Sequence, residues 1–283
     1  MEIGVNLPNA GSKEFRDTAA LVDRLGLDSV WVGDHVVMPS QVNSYYPYAS
    51  DHQWPHPATD DWYDTLLSLA WAGAATSTVQ LGTAVLVLPL RDPIILAKQV
   101  ASLSAITGRR VLLGVGVGWM KEEFDALHVA FGKRGRRAEE MVDVMRRLWS
   151  GRPVSFEGEF FAMDRLCAHP IPTQPPLILW GGHSSASLRH VARVGDGWYP
   201  LRLTRDEFQK ASEELRAVCD ETGRDPKSLT VCVGLGPSRN LTAEACEWYF
   251  EHGAQHVVCR PPLDPDECRE ELVRVAALRS QYG

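Results

Sequence analysis

The sequence predicts an α/β fold, a (β/α)8 TIM barrel with loop insertions, formed as one domain over residues 1–283. Three observations carry that expectation. Strand-like and helix-like segments alternate from one end of the chain to the other, which favours a closed parallel sheet over separate layers. The strand-like segments read as nearly continuous apolar runs, as strands covered on both faces do. The length also fits, since such barrels run to roughly 250 residues before insertions.

Strands are expected at 3–8, 29–32, 79–88, 110–117, 177–180, 197–199, 229–233 and 256–259. Helices are expected between and after them, at 12–25, 63–76, 92–105, 134–149, 184–194, 206–222, 243–252 and 266–278. The assignments rest on period and punctuation. In the first helix Phe15, Ala19, Val22 and Leu25 recur at helical spacing, and Gly26 closes it as a C-terminal glycine does. In the third, Pro93 stands at the first turn, where its missing N–H costs nothing. Ala138, Met141, Val142, Met145 and Leu148 form one apolar stripe. Two segments break the rhythm. Residues 38–61 are rich in Tyr, Pro, His and Asp without a clear period, and 151–176 reads as a small hairpin at 154–161 followed by a proline-rich connector.

Composition removes several function classes. A net charge of −7 argues against a nucleic-acid surface, which shows a basic stripe. No apolar run approaches the ~20 residues of a membrane span, and Met1-Glu2-Ile3-Gly4-Val5 does not begin a signal peptide. A cytoplasmic protein is expected. The six cysteines include no Cys-x-x-Cys pair, so neither a metal site nor a disulfide framework is expected.

The most informative stretch is Val30-Trp31-Val32-Gly33-Asp34-His35. A carboxylate and an imidazole stand at the carboxyl end of an apolar strand, the end of a barrel where chemistry sits. Histidine suits proton transfer near neutral pH. A plainer alternative is that Asp34 caps the next segment and His35 packs under a loop. Gly114-Val115-Gly116-Val117-Gly118 fails the dinucleotide-binding fingerprint, because Trp119 or Lys121 falls where the third glycine belongs. Those glycines either let a ring or phosphate approach the backbone or serve tight packing inside the barrel. Gly181-Gly182-His183-Ser184-Ser185 precedes a helix, whose first N–H groups can bind a phosphate or simply take a serine cap. The loop carrying Tyr45, Tyr46, Tyr48, Trp54, His52 and His56 reads as a cover over the barrel mouth. His252 and His256 read as ordinary surface residues, because Gly253 interrupts their helical spacing.

With these pieces placed, the chain resembles the bacterial-luciferase-like flavin and deazaflavin oxidoreductases over nearly its full length. The matching residues are Asp34-His35, Leu81 to Val85 continuing to Pro89, Pro93 to Gln99, Gly108-Arg109, Gly114 to Trp119 and Arg134-Gly135-Arg136. Trp149-Ser150-Gly151, Gly158-Glu159-Phe160, Gly181-Gly182 and Gly195-Asp196-Gly197-Trp198 complete the series. The chain departs from the family at Ile106-Thr107-Gly108-Arg109-Arg110, where a Leu-Ser-Gly-Gly-Arg turn is usual.

The resemblance implies a barrel whose mouth holds an isoalloxazine or deazaflavin ring. Asp34 and His35 would lie beside the ring, while Ala84, Val85 and Val87 would back it, with a cis peptide at Ala84-Val85. Gly118, Trp119, Gly181, Gly182 and His183 would approach the phosphate tail, with Arg202 as a further phosphate ligand. Flavin mononucleotide members often carry an arginine just after the fourth strand. Here Trp119-Met120-Lys121 stands there, which looks more like the coenzyme F420 branch. The expected function is hydride transfer between F420 and a small organic substrate under the aromatic loop. His35 would be the proton donor, with Asp34 orienting it or contacting the ring. The alternatives are an FMNH2-dependent luciferase-like monooxygenase using O2, and a non-catalytic flavin-binding protein. The resemblance also suggests a homodimer.

Overall fold

The computed structural model describes residues 1–7 and 12–282. Eight parallel strands close into a barrel: β1 (Glu2–Asn6), β2 (Ser29–Val32), β3 (Gln80–Val87), β4 (Val111–Gly116), β7 (Leu177–Gly181), β8 (Gly197–Tyr199), β9 (Thr230–Pro237) and β10 (His256–Arg260). Around the barrel they follow one another as β1-β10-β9-β8-β7-β4-β3-β2. Strands β5 (Val154–Glu157) and β6 (Ala162–Leu166) form a separate antiparallel ribbon. The outer helices are α1 (Ser12–Arg24), α2 (Thr65–Ala75), α3 (Pro93–Thr107), α5 (Arg134–Leu148), α6 (Ser185–Val194), α7 (Arg205–Thr222), α8 (Ala243–Glu251) and α9 (Pro265–Arg279). One short helix, α4 (Lys121–Ala126), was not expected. The part of the expected first strand at Pro8 lies outside the described residues.

Local chemistry sets the helix ends. Asp64 accepts from the N–H groups of Leu66 and Leu67, and Asp92 from those of Ile94 and Ile95, so two acids cap the helices after β2 and β3. Thr204 and Glu207 form a reciprocal capping box at α7. Gly108 and Gly223 end α3 and α7 at φ of 69° and 71°, the left-handed region that a side chain avoids.

The hairpin is longer than its sequence suggested. Residues expected in its second strand form the turn, where Gly158 N–H donates to the Phe161 carbonyl. Glu140 of α5 accepts from the N–H groups of Glu159, Phe160 and Phe161 at 2.7–2.9 Å. A carboxylate from another element thus holds the turn, and no local pattern announces that.

Two of the three buried apolar clusters among the described residues stabilise the barrel itself, the third being a small group of Val87, Leu90 and Phe124 near its mouth. The larger lies between strands and helices and includes Leu69, Leu81, Leu96, Val142 and Leu272, all at most 1% exposed. The smaller fills the barrel's interior with Trp31, Leu112, Leu179, Tyr199, Cys232 and Val258. Trp31 and Tyr199 meet with ring centroids 5.2 Å apart. Beneath them His256 is buried, correcting the surface placement expected for it. Its Nε2 lies 2.8 Å from Ser29 Oγ and its Nδ1 3.0 Å from Glu2, while the Trp31 indole donates to Ser29 Oγ. Ser29 is wholly buried, so this group closes the floor and offers no reactive surface.

The glycines of β4 resolve in favour of packing. The Ala84-Val85 peptide is cis. A Cβ on Gly116 would meet Val85 Cγ2 at 3.0 Å, and one on Gly181 would meet both Val85 methyls at 3.3 Å. On Gly114 a Cβ would collide with the Thr83 carbonyl oxygen. Gly116 and Gly181 lack side chains where Val85 occupies the space, and Gly114 where the Thr83 backbone does. Gly114→Ala should therefore destabilise the protein by about 1–3 kcal/mol in chemical denaturation, as overpacking does. Gly132→Ala, with open space around it and an unconstrained φ, should shift stability by less than about 0.5 kcal/mol.

Candidate active site

The site grows from the end of β2. As the strand leaves the barrel, Asp34 turns inward and its side chain is 0% exposed. Its Oδ1 accepts from Arg91 at 2.6 Å and lies 2.8 Å from the Thr65 hydroxyl, and its Oδ2 accepts from Val87 N–H at 2.9 Å. One carboxylate therefore ties the end of β2 to the start of α2, the end of β3 and the turn after it. Burial pushes the Asp34 carboxyl above its usual range, against the opposing pull of Arg91, the Val87 N–H and the Thr65 hydroxyl.

His35, one residue on, is 8% exposed and turns toward the mouth. Its Nδ1 lies 3.0 Å from Glu123 Oε2, and Glu123 is itself 2% exposed. Glu123 Oε1 accepts from Val36 N–H at 2.8 Å, so a single carboxylate fixes both the ring and the backbone after it. A carboxylate only accepts, so Nδ1 carries the proton and Nε2 is left toward the cavity. The partner orienting His35 is therefore Glu123. Of the two roles expected for Asp34, orienting His35 is thereby corrected, because its oxygens are engaged by Arg91, Thr65 and Val87.

Glu123 comes from α4, which follows β4. Its neighbour Glu122 points the other way and accepts from the N–H groups of Asn43 and Ser44 at 2.7 and 3.0 Å. Adjacent carboxylates thus anchor the loop 36–62 at two places. Above His35 that loop is a stack of rings. Trp54 and Trp62 each stand edge-on to the imidazole with centroids 4.8 Å away, and Trp119 lies 5.5 Å from Trp54. Tyr46 packs against both Trp54 and Trp119. The indole N–H groups of Trp54 and Trp62 are buried and have no acceptor among the described residues.

All the expected site residues line one cavity of about 1290 Å³ at the C-terminal mouth: Asp34, His35, Ala84, Val85, Val87, Gly118, Trp119, Gly181, Gly182, His183 and Arg202. Gly118 and Gly182 have φ of 79° and 89°. A Cβ on Gly118 would meet Val87 and Phe124, and one on Gly182 would meet Ser187 Oγ, so both turns require glycine. Ser184 caps α6 and accepts from Ser187 N–H at 3.2 Å, leaving the rest of the first turn facing the cavity. Arg134 lines the same region and donates to the Gly118 carbonyl at 3.1 Å. Arg202 lines the same cavity and leans over β9, its Nε and Cγ standing 3.3 and 3.4 Å from where a Gly236 Cβ would be.

Three participants were not foreseen, Glu123, Arg91 and Thr65, and Arg134 entered only through the Arg134-Gly135-Arg136 match, without a role in the site. The one local signal was the Glu122-Glu123 pair directly after Trp119-Met120-Lys121.

Arg91→Met would leave the Asp34 carboxyl buried without its counter-charge and should cost about 2–3 kcal/mol at neutral to alkaline pH. A carboxyl whose pKa is raised by folding favours the folded state as pH falls through that value, and removing Arg91 raises it further. The deficit in urea melts should therefore shrink from about pH 8 to about pH 5.5.

A sequence profile of the family described as luciferase-like monooxygenase matches residues 1–278. An uncharacterized protein of Mycobacterium tuberculosis is 34% identical over 206 residues, 73% of this chain and 71% of that protein. An F420-dependent hydroxymycolic acid dehydrogenase of the same organism is 30% identical over 236 residues, 78% of this chain and 63% of that one. Among solved structures, a monooxygenase from Streptomyces bottropensis superposes with a TM-score of 0.79 at 20% identity, covering 100% of both chains. Among the described residues, no helix is long and apolar enough to cross a membrane. The chain belongs to the luciferase-like monooxygenase family, among its F420- or flavin-dependent oxidoreductases.

Proposed function

We propose that the protein transfers a hydride between coenzyme F420 and a small organic substrate held under the aromatic loop. The observation that carries this reading is one cavity joining three features. An imidazole locked by a buried carboxylate stands at one wall, two tryptophans stand edge-on to that imidazole, and a glycine turn at a helix N-terminus stands at another wall. The fit to a ring with polar edges is supported by the two indole N–H groups that lack acceptors.

When bound, F420 supplies the carbon that gives or accepts the hydride. The chain's own residues do the rest. Val85, seated over Gly116 and Gly181, would back the ring with Ala84 and Val87. Gly118, Gly182, His183 and the first turn of α6 would hold the phosphate, with Arg134 adding charge. Trp119 and the loop tryptophans exclude water. His35 holds or moves a proton at Nε2, where hydride arrival or departure changes the substrate's charge. Asp34 keeps β2 and β3 in register beneath this group. The F420-dependent relative and the absence of an arginine at Trp119-Met120-Lys121 favour F420 over flavin mononucleotide.

A second reading, reduced flavin mononucleotide with O2, is favoured by the family's description as monooxygenases. Anaerobic titrations with F420 and with flavin mononucleotide separate the two. F420 should bind more tightly, and turnover should proceed without oxygen. Strict dependence on O2 would transfer the assignment to the monooxygenase, and binding without turnover would support a carrier.

His35→Ala should lower turnover about 10²- to 10⁴-fold while F420 still binds. Glu123→Gln should lower it by about tenfold or more and shift the pH profile, because the ring loses its carboxylate. Wild-type rates in either variant would remove that residue from the mechanism.

The reading includes a homodimer in the cytoplasm. The outer faces of α2 and α3 expose Leu67 (73%), Trp71 (50%) and Ile95 (60%), apolar surface of the kind that a second copy covers. Trp71→Glu should convert the dimer to monomer in analytical ultracentrifugation. A wild-type protein that sediments as a monomer would refute this part.

A further inference from the structure

We infer that the mouth carries a second, cationic subsite, built by Arg260 and Arg202 with the Tyr46 hydroxyl, which binds a carboxylate or phosphate on the substrate. This deepens the proposed function and rests on it, since it names the substrate class of the same cavity.

The barrel order separates the subsite from the glycine cradle. The cradle lies on β4 and β7, at Gly118 and Gly182. Arg260 ends β10, and in the order β1-β10-β9-β8-β7-β4-β3-β2 that strand stands directly across the barrel from β4. Arg202 follows β8 and leans over Gly236 of β9, so its guanidinium is directed to the Arg260 side. Its backbone is held at φ 55°, a conformation that a non-glycine side chain adopts only where its surroundings impose it. Both side chains line the same cavity. Burial, and then Arg202, hold the Arg260 pKa below its ordinary value, with only the Tyr46 hydroxyl pulling the other way.

The Arg260 guanidinium is thus half-buried beside a like charge, with no carboxylate among the described residues bearing on it. Leaving a desolvated charge unpaired is costly, and an anionic partner relieves both the burial and the repulsion. The remaining acids at this wall do not supply that partner. Glu271 is engaged with Arg274 at 2.7 Å, and Glu267 is exposed on the first turn of α9. Residues 8–11, outside the described set, include no acid. Tyr46 links the two halves of the cavity. Its ring packs on Trp54 and Trp119, and its hydroxyl feels both arginines. A molecule with an apolar body and one anionic end can therefore lie with its body under the tryptophans and its charge on Arg260 and Arg202. The opposite, reacting end then faces His35.

The test is isothermal titration calorimetry of the protein, alone and saturated with F420, using benzoate, phenyl phosphate and neutral benzamide at millimolar concentrations. At least one anion should bind about tenfold or more tightly than benzamide. Arg260→Met and Arg202→Met should each weaken that anion by about tenfold while changing F420 affinity less than about twofold, and Arg260→Lys should restore part of the loss. Tighter benzoate assigns a carboxylate and tighter phenyl phosphate a phosphate ester. Three results would overturn the inference: anions binding no better than benzamide, unchanged anion affinity in both methionine variants, or a loss of F420 affinity in those variants. The last would hand the arginines to the cofactor's tail. If wild-type protein failed to bind F420, the proposed function would fall, and the titration of the protein alone would still decide whether the anion site exists.

Discussion

A single buried carboxylate, Glu123, organises the mouth of this barrel, although it lies 88 positions from the imidazole it holds. One of its oxygens receives the His35 ring and the other receives the backbone after it. Without that bond His35 would be free to rotate into the space beneath the tryptophans. The Asp34 clamp supports it from below by joining β2, β3 and α2, so the imidazole rests on a base that is itself tied to three elements. The lid belongs to the same arrangement, because Glu122 fixes the loop at Asn43 and Ser44.

The interior divides into a filled lower half and an open upper half, and packing explains the division. Trp31 and Tyr199 occupy most of the lower barrel, and the Ser29–His256–Glu2 hydrogen bonds satisfy the polar atoms that would otherwise be buried without partners. Above them the inward positions of β4 and β7 are glycines that receive Val85. Beyond Val85 the walls carry backbone, small residues and rings, so a cavity remains. A broad apolar cavity with a few fixed polar groups is the form that small-molecule sites take.

Much of this was legible in the sequence because it depends on local pattern. The alternation of apolar runs with helical stripes marked all eight barrel strands, and the Asp34-His35 pair marked the end that carries the site. The glycine turn at 181–182 was legible for the same reason: strand, glycines and capping serine follow one another directly. What was not legible depends on distant partners. Nothing near Glu123 says that it faces His35, since α4 is six residues long and too short for a periodic signal. His256 looked like a surface residue because its spacing to His252 is interrupted, but its strand carries it to the barrel floor. The glycines of β4 left ligand approach and packing both open, and only the position of Val85 decided for packing. Arg202 follows β8 in the chain but leans over Gly236 of β9, a contact with a distant segment that no local pattern announces.

On the proposed function a redox ring would rest on Val85 with its reactive edge toward His35 Nε2. A crystal structure of the complex with F420 tests it most directly. The ring should be seated between Val85 and the tryptophans, the phosphate at the Gly182 turn, and Nε2 turned to the ring or to the space beside it. A ring bound outside the mouth, or a His35 released from Glu123 and folded into hydrocarbon, would contradict it.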